Sequence, residues 1–112
     1  MDNRLLKYIY DIKTSISSIK EFISKINTFE DYKSNKLVKR AVEREFEIIG
    51  ETLNNALKID NNLTISDSKK IISFRNYIIH GYADISDKVV YSIIENNLNL
   101  LEKEINILLN LK

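Results

Sequence analysis

The eight residues Arg75-Asn76-Tyr77-Ile78-Ile79-His80-Gly81-Tyr82 hold a permanent cation, the chain's only histidine and two phenols. Histidine titrates near neutrality when unperturbed, so it can take up and return a proton at physiological pH. Arginine presents a planar, always-charged fork that matches phosphoryl oxygens. Brought together, these groups suit phosphodiester cleavage without a metal. His80 takes the proton of a ribose 2′-hydroxyl or protonates the departing oxygen, and Arg75 stabilises the charge gathering on the phosphoryl group. A helix C-terminus favours the protonated imidazole, which inclines His80 toward the acid role. Tyr82, just past the glycine, is placed to stack on a base or to be modified; its plainer reading is an amphipathic tyrosine at a bundle end.

Arg75 also has a plainer reading. It lies among Ile71, Ile72, Phe74, Ile78 and Ile79, where an unpaired buried charge is expensive. A carboxylate of the second helix, Glu45, Glu47 or Glu51, is then its expected partner. Spacing adds a constraint. At about 100° per residue, His80 points roughly 140° away from Arg75 around a regular helix. The two converge only if the helix distorts before Gly81, or if two chains bring their copies together across a two-fold axis.

The elements that must position this segment are helices. Proline is absent and glycine occurs only at Gly50 and Gly81, so the punctuation of a β protein is missing. Leu5, Ile9, Ile12, Ile16, Ile19, Ile23 and Ile26 draw one stripe down a long first helix. Val38, Val42, Phe46, Ile49, Leu53 and Ala56 stripe a second, capped by Ser34 or Asn35. A polar loop runs from Ile59 to Ser68. Ser66 or Asp67 caps a third, shorter helix that carries Arg75 and His80, and Gly81 ends it in the left-handed conformation common past a helix C-terminus. A fourth begins at Asp84, Ser86 or Asp87, with Val90, Ile94, Leu98, Leu101, Ile105 and Leu108 on its stripe. The expected fold is all-α: one domain over residues 1–112, an antiparallel, up-and-down four-helix bundle with room for a short extra helix. Surplus apolar rows on the first and last helices, such as Val89, Ile93, Leu100, Ile107 and Leu111, predict a second buried contact, with self-association the natural candidate.

Composition narrows the function. There is no cysteine and one histidine, so a disulfide framework, a thiolate metal site and a multi-histidine centre within one chain are all excluded. Seventeen basic against sixteen acidic residues give a net charge of +1, which does not announce a nucleic-acid binder. Any RNA contact needs a local patch; Lys33, Lys36, Lys39, Arg40 and Arg44 are a candidate, with a solvated helix face the blander reading. No apolar run approaches the roughly 20 residues of a membrane span, and a soluble, cytoplasmic protein is the simplest expectation.

Arg75-x4-His80-x-Tyr82 resembles the R-x4-H-x-Y signature of the HEPN superfamily in its HepT-like branch. Arg44-Glu45-Phe46-Glu47-Ile48-Ile49-Gly50-Glu51 resembles that branch's R-x-x-E-x-I-G-E segment on the second helix. The chain departs from the pattern ahead of the arginine, where Ser66 to Phe74 lacks the usual proline, tryptophan and Gly-Leu pair, and at Tyr91, where a tryptophan is usual. The resemblance implies a homodimeric, metal-independent endoribonuclease, the toxin of a type VII toxin–antitoxin system, needing no cofactor. By position it implies Arg75 and His80 as the catalytic pair at a cleft between protomers, Asn76 as a supporting polar residue and Tyr82 as the tyrosine AMPylated by an MntA-like nucleotidyltransferase antitoxin. RNA is the implied substrate, tRNA or mRNA, with no DNA and no membrane partner. The alternative is a catalytically silent HEPN module that docks on a minimal nucleotidyltransferase. Glu47 and Glu51 either orient Arg75 or pair with Arg40 and Arg44 along their own helix. Gly50 either lets two helices approach closely or is a tolerated surface glycine.

Overall fold

The computed structural model describes residues 1–81 and 84–110. The all-helical expectation holds, and among these residues there is no strand. Where four helices, the third of them shorter, and room for a short extra one were expected, six form among the described residues: α1 (Asn3–Phe22), α2 (Phe29–Lys33), α3 (Lys36–Ile59), α4 (Ser68–His80), α5 (Asp87–Asn96) and α6 (Leu98–Leu108). The extra ends come from local capping. Asp2 opens α1 by accepting from the Arg4 and Leu5 amides at 2.8 and 3.0 Å, which supplies partners for N–H groups the helix leaves orphaned. The helix stops at Phe22, and Thr28 starts α2 by accepting from the Asp31 amide at 3.1 Å. Ile23 and Ile26 therefore lie in the connection, not in the helix, although both still pack on the core.

Asn35 is the cap of α3, accepting from the Val38 amide at 3.0 Å. Ser86 is the cap of α5, accepting from the Val89 amide at 3.4 Å. The expected fourth helix is interrupted at Asn97, which ends α5 and begins α6. Asn97 is buried, and its side-chain amide donates to the Asp67 carboxylate at 2.8 Å. Asp67 stands at the N-cap of α4 without making a capping bond of its own. The preceding Ser66 is bound through its amide and hydroxyl to Glu104 of α6, the hydroxyl bond measuring 2.8 Å. Two polar clamps thus fix where α4 starts.

The core is the expected stripe of each helix. Ile9, Ile12, Ile16 and Ile19 of α1 face Val42, Phe46, Ile49 and Leu53 of α3, all buried. On the other side α3 packs against α4, which buries Ile71, Phe74 and Ile78 at helical spacing. Phe46 and Phe74 meet edge-on with ring centroids 5.1 Å apart, a geometry that adds about 0.5–1.5 kcal/mol beyond the buried area. α6 lies against α1, and α2 bridges α3 and α5. Fully buried Tyr32 of α2 rests on Tyr91, their ring centroids 5.5 Å apart.

Gly81 ends α4 as expected, but not in the left-handed region: its φ is −107° and its amide continues the helical pattern to the Tyr77 carbonyl. The glycine is required by crowding. A Cβ there would sit 2.9 Å from the Tyr77 carbonyl oxygen.

Candidate active site

With Ile71, Phe74 and Ile78 spent on the core, α4 turns Arg75, Asn76, Tyr77 and His80 toward its outer faces. Arg75 lies over α3. Its stem occupies the space that a side chain at Gly50 would take: a Cβ on Gly50 would be 2.2 Å from the Arg75 Cβ and 2.7 Å from its Cγ. Gly50 is buried, so it is the close-approach glycine between α3 and α4 and not a surface one.

The expected ion pair of Arg75 with Glu45, Glu47 or Glu51 does not form. Among the described residues Arg75 makes no salt bridge; its Nη1 donates to Asn76 Oδ1 at 3.0 Å, and its buried Nε has no partner. Along α3, Arg44 takes Glu47 at 3.0 Å and Arg40 takes Glu43 at 3.3 Å, while Glu51 lines the same groove as Arg75 without an ion pair among the described residues. Glu47 is thus a same-helix partner, as one of the two readings held, while Arg40 goes to Glu43, a residue the sequence did not single out. With Lys39 also paired, to Asp87 at 3.2 Å, three of the five cations in the candidate basic patch are in ion pairs, and Lys33 and Lys36 are exposed without one among the described residues.

The guanidinium borders a groove of about 350 Å³ lined on α3 by Gly50, Glu51, Asn54, Asn55 and Lys58 and on α4 by Ile72, Arg75 and Asn76. Asn76 therefore both holds Arg75 and faces the groove. The groove residues of α3 recur at the spacing of one helix face, a signal present in the sequence, but only the seat of Arg75 on Gly50 shows which face it is. His80 does not line this groove. It is exposed at the last residue of α4, a rise of about 7.5 Å and a turn of about 140° beyond Arg75. The helix runs to His80 as a regular α-helix, so distortion does not bring the pair together. Tyr77, one turn before Gly81, accepts at its hydroxyl from the Ser86 amide at 2.7 Å and ties the end of α4 to the start of α5. Tyr82 lies outside the described residues.

A model of the family described as Ribonuclease HepT-like matches residues 12–108, which span every helix but the first turns of α1 and include Arg75, Asn76, His80 and Tyr82. The chain belongs to the HepT-like ribonuclease family. It is 29% identical over 103 residues to Putative RNase MJ1380 of Methanocaldococcus jannaschii, covering 89% of this chain and 92% of that one. To Putative RNase MJ0127 of the same organism it is 28% identical over 99 residues, covering 88% and 81%. No solved structure matches it significantly. Within this HepT-like chain no helix among the described residues is long and apolar enough to cross a membrane.

Proposed function

We propose that this HepT-like protein is a metal-independent endoribonuclease toxin whose active unit is a homodimer. The observation that carries the reading is the divergence of Arg75 and His80 on an undistorted helix. Arg75 is seated over Gly50 and faces a polar groove, while His80 stands exposed beyond it. A two-fold axis near the end of α4 sets one protomer's histidine beside the other's arginine, because a two-fold contact pairs each patch with its own copy. In that composite site His80 moves the proton and Arg75, steadied by Asn76, holds the phosphoryl charge. The two archaeal relatives, each named Putative RNase, support the reaction class.

The motif tyrosine supplies the off switch in this reading. An MntA-like nucleotidyltransferase antitoxin transfers AMP from ATP to the Tyr82 hydroxyl, with pyrophosphate leaving. The added anion repels and obstructs RNA phosphate.

Expression of the chain alone, with RNA cleavage by the purified protein assayed in excess chelator, tests this. Wild type arrests growth and cleaves RNA with chelator present; His80→Ala loses both, by a factor of about 10² to 10⁴ in rate. Tyr82→Phe cleaves as wild type does but is no longer silenced by the co-expressed nucleotidyltransferase. Undiminished cleavage by His80→Ala sinks the catalytic assignment. Tight binding of the nucleotidyltransferase with no cleavage by unmodified dimer favours the silent docking module instead.

A further inference from the structure

A second depression continues the Arg75 groove. It holds about 460 Å³ and is lined by Arg4 and Tyr8 of α1 and by Asn55, Lys58 and Ile59 of α3. Asn55 and Lys58 line both depressions. The surface is therefore one path, from α4 across the C-terminal half of α3 to the first turns of α1.

Its chemistry is consistent along its length. Arg75, Lys58 and Arg4 follow one another as cations, and among the described residues none of them is in an ion pair. Lys39, Arg40 and Arg44, at the other end of α3, are all paired. Between the free cations stand the amides of Asn54 and Asn55, able to donate and accept at base edges. Tyr8, half-buried against the core, offers a ring whose position is fixed. Glu51 is a carboxylate on the same face, one helical turn before Asn54 and Asn55 and two before Lys58, so phosphate is favoured toward Lys58 and Arg4.

Free cations in a row beside a fixed aromatic ring and paired amides are what a single nucleic-acid strand requires: charge for the backbone, a face for stacking, and polar edges for the bases. We propose that this path is a track for single-stranded RNA, and that Lys58 and Arg4 hold the phosphates flanking the cleaved one. The track rests on the ribonuclease reading above and extends it: the site then takes a strand several nucleotides long, and an isolated phosphodiester is a poor substrate.

The test is binding of a 2′-O-methyl oligonucleotide, which keeps bases and phosphates but cannot undergo attack by the 2′-hydroxyl. Wild type, the double variant Lys58→Gln/Arg4→Gln and the control Lys25→Gln/Lys103→Gln are compared by fluorescence anisotropy at several salt concentrations. The substituted residues are exposed, and circular dichroism confirms the fold. For a strand of about 12 nucleotides the track variant binds about tenfold more weakly, and its slope of log affinity against log salt is shallower by about 1.4, the share of two phosphate contacts on a single strand. The control pair binds as wild type does. Equal binding by wild type and track variant, or no binding by wild type, overturns the track. Loss of nucleotidyltransferase binding with RNA binding intact also overturns it and assigns the surface to a protein. Cleavage activity and its dependence on His80 are read separately, so the ribonuclease proposal stands or falls on its own assay.

Discussion

Glu43 shows at the scale of one residue how α3 divides its charges. It is buried at the foot of α2, and burial pushes its carboxyl above the ordinary value of 4.5, with nearby Asp87 adding to the rise and Arg40 and Lys39 opposing it. Because the folded state holds this proton more tightly than the unfolded chain does, the charged form costs stability above the folded pKa. That cost disappears as pH falls through the folded value toward 4.5. Glu43→Gln, which keeps an acceptor for Arg40, is therefore more stable than wild type at pH 7, and the gap closes near pH 4; urea unfolding at the two pH values measures it. A gap of the same size at both rules out the burial effect. None of this was legible in the sequence, where Glu43 is one of sixteen acidic residues. Arg75 was misread for a related reason: desolvation argues for some partner but not for which one, and the partner that forms is Asn76 of its own helix, while Arg44 takes Glu47.

At the scale of elements, the local signals were readable and the long-range ones were not. The caps at Asn35 and Ser86 follow from residue type next to an apolar stripe, and both form. The interruptions after Phe22 and at Asn97 were invisible because the apolar period runs through them: Ile23, Ile26, Ile94, Leu98 and Leu101 all remain in contact with the core. Asn97 breaks the last helix while binding Asp67, a partner 30 residues away. Gly50 was read as one of two things, and its contact with α4 decides between them. Replacing it by alanine gains about 1 kcal/mol of helix propensity, but the new Cβ meets the Arg75 Cβ at 2.2 Å, an atom fixed to the backbone that cannot swing aside. Overpacking of this kind costs about 1–3 kcal/mol, and the clash wins. Gly50→Ala is thus expected to lower stability in chemical denaturation despite the propensity gain, and to reduce RNA cleavage in the fraction that remains folded, because Arg75 is lifted from its seat. An unchanged or raised unfolding midpoint would show that α3 and α4 can separate without penalty.

At the scale of the whole molecule, a composite site makes a prediction that a single-chain site does not. Arg75→Ala and His80→Ala are each inactive if both groups are needed. Mixed and allowed to exchange subunits in equal amounts, half of the dimers contain one chain of each kind. In such a dimer one cleft has lost both groups, while the other pairs the intact arginine of the His80→Ala chain with the intact histidine of the Arg75→Ala chain. One working cleft out of two, in half the dimers, restores about a quarter of wild-type cleavage. If arginine and histidine of the same chain act together, every cleft in the mixture lacks one of them and nothing returns. The exposed histidine at the end of α4 and the arginine seated over Gly50 favour restoration, because within one chain the helix between them turns the two groups apart. The track lined by Lys58 and Arg4 sharpens the same experiment. Adding Lys58→Gln/Arg4→Gln to the His80→Ala chain places the damaged track in the cleft that keeps its arginine, and restoration falls. Adding it to the Arg75→Ala chain damages only the track beside the missing arginine, and restoration persists. The asymmetry between the two mixtures tells which protomer guides the strand into the working cleft.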